Sequence, residues 1–207
     1  MIICEQVSCI YDDNVVFERV NLNLGEGALV ILHGPNGSGK TSFLQIIAGI
    51  KAPSEGSVTW NGKNIGAAIR DGEFHLNYLG HDYAVKPELT VYENIEYWAK
   101  LSGNTGKIAD AITRLGLGEY TNVLCAKMSD GWRKRVALAR LIFCDADAWM
   151  LDEPYNNLDH RICEELDKII EEKAKKGGII MLSSHTLVPI DFADKLNIAN
   201  FAPKRRK

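Results

Sequence analysis

The sequence lacks long apolar runs and an export signal. No stretch approaches the roughly 18 consecutive apolar residues that a membrane-spanning helix needs. The first residues, from Met1 to Glu5, have neither the basic start nor the long apolar core of a secretion signal. We therefore expect the chain to stay in the cytosol.

The sequence also lacks a cysteine pattern that would indicate a metal or redox centre. Its five cysteines are an odd number, they are scattered, and no two are spaced as C-x-x-C. Reduced thiols in the core or at the surface are therefore expected, and zinc or dithiol chemistry is not.

Neither sign of charge is in large excess. The formal net charge is −3, but Lys204–Lys207 contributes +4 and leaves −7 for the rest of the chain. Nucleic acid is therefore not an expected partner. The basic segment is either simply solvated or, if the protein works beneath a membrane, in contact with anionic headgroups.

What the chain does have is the composition of an ordinary globular protein, with 46% hydrophobic and 25% charged residues among 207. This length suits one well-buried α/β domain and is short for two large ones. No internal repeat or low-complexity segment divides the chain. We expect a single domain over residues 1–207.

One segment has the phosphate-binding spacing G-x-x-x-x-G-K-[ST]. Its residues are Gly34, Pro35, Asn36, Gly37, Ser38, Gly39, Lys40 and Thr41. The apolar run Ala28–Leu32 precedes it and predicts a buried strand, and apolar residues at helical spacing follow it as far as Ile50. Strand, loop and helix therefore stand in the order that a phosphate-binding loop requires.

Each part of this loop has a physical task. Glycines let backbone N–H groups point inward at phosphate oxygens, and the start of the helix adds the positive end of its dipole. The Lys40 ammonium can reach the outer phosphates, and the Thr41 hydroxyl is placed to bind Mg²⁺. The segment therefore predicts a nucleotide site with a magnesium ion.

Two acids follow a second apolar run, Ala148–Leu151. In isolation such a pair often begins a helix, but beside a phosphate loop Asp152 can hold Mg²⁺ or its water, and Glu153 can orient or deprotonate the attacking water. His185 follows the run Ile179–Leu182, at the edge where open α/β sheets bind ligands, and can donate to the γ-phosphate. We predict Glu153 and His185 as catalytic residues.

The remaining patterns predict two further regions. Four short strands before Leu24, together with a hairpin turning at Asn61 and Gly62, predict a small antiparallel sheet. Helical patterns predict a helical insert over approximately residues 88–140. Its first helix opens with Thr90 and Glu93 in the spacing of a capping box.

Apolar periodicity places further helices over Arg133–Phe143 and Leu158–Ala174. The second of these connects two apolar strands, which implies parallel pairing with a right-handed crossover. The predicted fold is therefore α/β, with a mostly parallel core sheet, a small antiparallel β subdomain and a helical insert.

In order and spacing, these motifs resemble the nucleotide-binding subunits of ATP-binding cassette (ABC) transporters over essentially the whole chain. The resemblance implies a P-loop NTPase fold of the ABC type, with ATP and Mg²⁺ as ligands. It identifies His185 as the switch histidine. Tyr11 matches the aromatic residue that stacks on adenine, and His81 matches the coupling loop. Ser129 and Gly131 match the signature, and Asp159 matches the D-loop.

The resemblance implies that the chain works as a pair. In this family two subunits associate head to tail, and each ATP lies between the phosphate loop of one copy and the segment with Ser129 and Gly131 of the other. Closure assembles the site, and hydrolysis near Glu153 releases it. The helical insert meets integral membrane subunits, and the loop at His81 transmits their engagement. The chain would then be peripheral, on the cytoplasmic face of the inner membrane.

Two places depart from the family pattern. Family members usually carry Gln where His81 stands, and Leu-Ser-Gly-Gly-Gln where this chain has Met128–Trp132. Asp130 thus adds a carboxylate where glycine is usual. A like charge within about 6 Å of a triphosphate costs on the order of 1–3 kcal/mol at an effective dielectric of about 20. We therefore expect slow ATP hydrolysis.

Within the family, three stretches resemble the ATP-binding subunit of the haem exporter in cytochrome c maturation: Tyr78–His81, Lys86–Asn94 and Trp132–Leu141. This implies separate membrane subunits and, indirectly, haem-handling proteins as partners, although no residue is expected to bind haem. The alternatives are an ATPase subunit of another small exporter, for a lipid, peptide or drug, and a soluble ABC ATPase such as an iron–sulfur assembly factor.

Overall fold

The structure, a computed structural model, describes residues 1–12, 14–184, 190 and 193–203. They form two compact units. The first unit comprises Met1–Tyr78, Ala146–Pro154 and the described part of Lys173–Lys207, and the second comprises Leu79–Asp145 and Tyr155–Glu172. The expected single domain with an insert at about residues 88–140 stays a prediction.

The described residues contain nine strands in two sheets. In chain order the strands are β1 (Ile2–Tyr11), β2 (Asn14–Leu24), β3 (Leu29–His33), β4 (Glu55–Trp60), β5 (Lys63–Asn64), β6 (Leu76–Leu79), β7 (Ala148–Leu151), β8 (Ile179–Ser183) and β9 (Asp194–Asn197). Two α-helices of the first unit are α1 (Lys40–Ile47) and α2 (Ile65–Arg70), and a 3₁₀ turn covers Ile198–Phe201.

The smaller sheet is antiparallel, in the order β2-β1-β4-β5. The prediction of four short strands before Leu24 was wrong, because β1 and β2 are long and continuous. Gln6 and Arg19 have positive φ angles of 49° and 56°, and the register of β1 against β2 shifts, so the chain bulges instead of breaking. The predicted hairpin is present, with φ angles of 48° and 85° at Asn61 and Gly62.

The larger sheet has the order β6-β7-β8-β3-β9. Its pairs β7 with β8, β8 with β3, and β3 with β9 are parallel, which confirms the predicted parallel core. Helix α1 buries Phe43, Leu44, Ile46 and Ile47 in the same apolar core as β1, β3, β7 and β8. The Phe43 ring meets the edge of Phe17 in β2, with centroids 5.5 Å apart, and this contact fixes the start of α1 against the smaller sheet.

The second unit is helical. Its helices are α3 (Val91–Leu101), α4 (Ile108–Arg114), α5 (Asp130–Leu138), α6 (Arg140–Phe143) and α7 (His160–Lys175), which belongs to this unit as far as Glu172. Short 3₁₀ turns cover Thr105–Lys107, Gly118–Tyr120 and Cys125–Lys127.

The capping box predicted at the start of α3 is confirmed. The Thr90 side chain accepts from Glu93 N, and the Glu93 carboxylate accepts from Thr90 N at 2.7 Å. The helix predicted over Arg133–Phe143 differs, since it begins at Asp130 and is divided at Ala139 into α5 and α6.

The helix predicted from Leu158 begins instead at His160. The Asp159 carboxylate accepts from Ile162 N at 3.0 Å, as an N-cap does, so the preceding residues stay outside the helix. In the part of the chain that the structure describes, no helix is both long and apolar enough to span a bilayer.

Candidate active site

The phosphate loop connects β3 to α1 through residues with unusual backbone conformations. Gly39, the residue before α1, has a φ of 96°. A Cβ atom at Gly39 would lie 2.6 Å from Val16 Cγ1 and 2.8 Å from Phe17 Cδ1, so only glycine fits. Among the described residues no side chain caps this end of α1, which leaves its first N–H groups available to an anion.

The Lys40 side chain lies inside the phosphate loop. It is 7% exposed, and its Nζ donates to the carbonyl oxygens of Gly34 at 2.9 Å and Pro35 at 3.3 Å. Pro35, Asn36 and Gly37 form the exposed rim of the loop. The ammonium therefore stands beneath the rim, where a phosphate oxygen could replace the carbonyl acceptors.

Asp152 connects the end of β7 to the first turn of α1. The residue is 2% exposed, and its carboxylate accepts from Thr41 Oγ1 at 2.7 Å and from Ser183 Oγ at 2.6 Å. The predicted magnesium ligands Thr41 and Asp152 are thus brought together. Ser183, at the end of β8, was not predicted, and it fixes the second carboxylate oxygen.

Glu153 is held in a backbone conformation that is costly for a residue with a side chain. Its φ is 49°, in the left-handed region, and such positions cost of order 1–3 kcal/mol. Glu153 N donates to Ser183 Oγ at 2.8 Å, and the residue is only 6% exposed. Ser183 therefore holds both acids, by the carboxylate of Asp152 and by the backbone of Glu153.

These residues fit a magnesium ion. Mg²⁺ prefers hard oxygen donors, takes one or two of them from protein side chains and keeps the rest as water or phosphate oxygen. A threonine hydroxyl and a carboxylate within 2.7 Å of each other, beside an anion-binding helix start, supply that set. Thr41 and Asp152 are thus the residues that would hold the ion.

The residue before the phosphate loop adds no positive charge at neutral pH. Burial, followed by the positive charge of Lys195, lowers the pKa of His33 below its usual value, and Lys40 acts in the same direction. His33 is therefore neutral, and Lys40 is the cation of the loop itself.

Tyr11, the predicted adenine-stacking residue, lies next to α1. Its hydroxyl and that of Ser42, in the first turn of α1, are 3.1 Å apart and share a hydrogen bond. Lys51 Nζ lies 3.3 Å from the centroid of the Tyr11 ring. Tyr11 is thus placed beside the phosphate loop, as a base-stacking residue must be, by two residues that the sequence did not single out.

In the second unit, Ser129 and Gly131 lie at the start of α5. Ser129 is its N-cap residue, but among the described residues its side chain makes no capping bond. A Cβ atom at Gly131 would lie 2.4 Å from the carbonyl oxygen of Asn157. The backbone before α7 therefore packs directly on the start of α5, and this contact requires glycine at position 131.

Asp130 does not project as an isolated charge. Its carboxylate accepts from Tyr83 Oη at 2.9 Å and from Asn157 Nδ2 at 2.8 Å, and Arg133 lies 3.6 Å away. The bonds from Asn157 and then Tyr83 lower the pKa of Asp130, so it remains ionised. These partners offset part of the repulsion expected toward ATP, and slow hydrolysis stays a prediction.

The remaining predicted site residues are Asp159 and His81 in the second unit, and His185, which comes after β8 in the sequence. Asp159 caps α7 and forms an ion pair with Arg135 of α5. His81 is exposed and follows β6. His185, the predicted switch histidine, lies outside the described residues.

Sequence comparison decides the family. The family model for ABC transporters matches residues 17–156. The chain belongs to the ABC transporter family. It is an ATP-binding ABC subunit and an ATPase, as the motifs predicted.

One ABC relative is similar to this chain along nearly its whole length. The chain is 37% identical over 200 residues to the cytochrome c biogenesis ATP-binding export protein CcmA of Haemophilus influenzae, covering 95% of this chain and 94% of that one. The predicted similarity to this subfamily is thereby confirmed.

Solved ABC structures share the fold. A putative ABC transporter ATP-binding protein from Pyrococcus furiosus superposes with a TM-score of 0.82 at 25% identity, covering 98% of this chain and 99% of that one. The cassette MJ0796, a dimer in a post-hydrolysis state bound to ADP and Pi, superposes with a TM-score of 0.75 at 22% identity, covering 90% of this chain and 88% of that one. The predicted ABC-type fold is confirmed.

Proposed function

We propose that this chain is the ATP-hydrolysing subunit of the haem exporter of cytochrome c biogenesis. The observation that carries the ATPase chemistry is the set of bonds joining Thr41, Asp152, Ser183 and Glu153 beside the phosphate loop. The similarity to a CcmA protein along 95% of the chain supports the choice of haem export over another small exporter or a soluble assembly factor.

In this proposal the first unit binds ATP. The N–H groups from Gly34 to Thr41 and the Lys40 ammonium hold the phosphates, and Tyr11 stacks on adenine. Thr41 and Asp152 would hold Mg²⁺, which would supply neutralisation of the phosphate charge. Glu153 accepts a proton from the attacking water or orients it, and His185 donates to the γ-phosphate.

Catalysis needs a second copy of the chain. Two copies associate head to tail, so that Ser129 and the N–H of Gly131 from one meet the γ-phosphate held by the other, with Asp159 in the adjoining D-loop. The uncapped start of α5 supports this role, because its N–H groups can serve an anion outside the chain. MJ0796, a cassette of the same fold, is itself a dimer.

The same chain would couple ATP to membrane subunits. A helical insert of about residues 88–140 meets integral membrane partners, and His81 lies in the loop that senses their engagement. The chain is then peripheral on the cytoplasmic face of the inner membrane, and it reaches haem-handling proteins only through these partners. No nucleic acid takes part.

Deleting the gene in its own host tests the proposal. Covalently haem-bearing c-type cytochromes, stained in gels, should disappear and return with the wild-type chain but not with Lys40→Ala; Lys63→Ala, on an exposed ion pair, is the control. Membrane pull-down should recover a multi-spanning partner. Unchanged cytochromes, or recovery with soluble scaffold proteins, would reject haem export.

A further inference from the structure

One face of the Tyr11 ring is covered by a lysine. Lys51 Nζ lies 3.3 Å from the ring centroid, within the range of a cation–π contact. The same ammonium donates to Cys9 Sγ at 3.4 Å, and Cys9 is fully buried in β1. Lys51 is thus tied to the smaller sheet on one side and to the Tyr11 ring on the other.

The edge of the ring is held as well. The Tyr11 hydroxyl shares a hydrogen bond with Ser42, the residue that follows Lys40 and Thr41 in α1. Lys51, and after it Ser42, lower the pKa of Tyr11, which agrees with close polar contact at both places. Tyr11 is nevertheless 47% exposed. With one face covered and the hydroxyl engaged, the opposite face remains for a ligand.

We propose that Lys51 is a positioning residue for nucleotide binding: it fixes the Tyr11 ring so that the opposite face stacks on the base of ATP. The inference rests on the proposed function of the phosphate loop. Lys51 does not touch the phosphates in this scheme, and it acts only through Tyr11. Its removal should therefore weaken ligands that carry a base and leave bare polyphosphates unaffected.

Calorimetric titration of the full chain with ATP and with inorganic tripolyphosphate separates binding of the base from binding of the phosphates. Lys51→Met should weaken ATP binding about three- to tenfold, the range of a cation–π contact, and leave tripolyphosphate binding unchanged. Lys51→Arg should restore most of the ATP affinity, because a guanidinium also stacks on an aromatic face. Lys63→Met, at an exposed ion pair of β5, is the matched control and should change neither affinity.

Three outcomes would overturn the inference. Tighter ATP binding by Lys51→Met would show that the Lys51 ammonium competes with the base of ATP for the Tyr11 ring. Equal losses for both ligands would assign Lys51 to the phosphates or to the fold. Unchanged ATP binding by Lys51→Met would show that Lys51 does not position the Tyr11 ring for ATP. If the wild-type chain bound neither ligand, the proposed nucleotide site itself would be wrong, whereas normal wild-type binding with an unaffected Lys51→Met rejects only the positioning role.

Discussion

Asn157 Nδ2 donates a hydrogen bond to the carboxylate of Asp130 at 2.8 Å, and this bond joins the segment before α7 to the start of α5. The backbone oxygen of Asn157 also packs against Gly131, and Arg135 pairs with Asp159. Three contacts therefore hold the segment before α7, which contains Asn157 and Asp159, against the first half of α5. The carboxylate that departs from the family pattern is one of them.

Replacing Asp130 tests whether its charge slows hydrolysis. Asp130→Gly should raise kcat of the assembled transporter by up to about tenfold, less than the bare Coulomb cost, because Tyr83, Asn157 and Arg133 already offset the charge. Asp130→Asn removes the charge but keeps an acceptor, so it should give most of the same gain. Asp110→Asn, exposed in α4, is the control. Unchanged rates in both Asp130 variants would show that the partners neutralise the carboxylate.

Gly131 should not tolerate a side chain. Gly131→Ala places a Cβ 2.4 Å from a backbone oxygen and should lower the free energy of unfolding by about 1–3 kcal/mol, with loss of ATPase activity. Gly118→Ala is the matched control in the same unit, since a Cβ there meets nothing within 4 Å. Urea unfolding and ATPase assays compare them. Equal behaviour of the two variants would mean that the contact of Gly131 with Asn157 is not maintained in solution.

Ser183 should matter for turnover more than for binding. Ser183→Ala removes a hydroxyl that bonds Asp152 and the backbone of Glu153, and bonds to charged groups are worth about 1.5–3 kcal/mol. We expect kcat to fall about ten- to hundredfold with little change in ATP affinity. Ser57→Ala in β4 is the control. A variant with wild-type kcat would show that the acids position themselves without the serine.

The second unit should have a pH-dependent stability that comes from Asp167. Burial raises its pKa above the ordinary value of 3.8, although the Tyr155 hydroxyl, donating at 2.6 Å, opposes the shift. The unfolded chain therefore loses this proton at lower pH than the folded one, and stability falls as pH rises from 3.8 through the raised value. Asp167→Asn keeps the acceptor and removes that fall. Urea unfolding across this range should show a flatter profile for the variant, and an unchanged slope would contradict the assignment.

The sequence predicted the parts of the site that follow a strict spacing. Gly34 to Thr41 and Asp152 were recognised because phosphate and magnesium demand particular residue types at particular distances along the chain. The parallel strands were likewise visible as short apolar runs. The bulges at Gln6 and Arg19 were not, since a residue with positive φ interrupts the alternation of a strand without ending it.

The residues that sequence reasoning missed act across distant segments. Ser183 meets Asp152 only because β7 and β8 are adjacent, and Asn157 meets Asp130 only through the contact between α5 and the segment before α7. Such partners have no fixed separation along the chain. The sequence did contain a signal for Ser183, because it is a polar residue at the end of an apolar strand. It contained no such signal for Lys51.

The central claim is that Glu153 handles the attacking water at a site built by the phosphate loop, and Glu153→Gln tests it most directly. The variant keeps the size of the side chain and every phosphate contact, so ATP should bind with unchanged affinity. Hydrolysis should fall by about a hundredfold or more, and a closed dimer should accumulate in size-exclusion chromatography with ATP. Hydrolysis by Glu153→Gln at the wild-type rate would contradict the account.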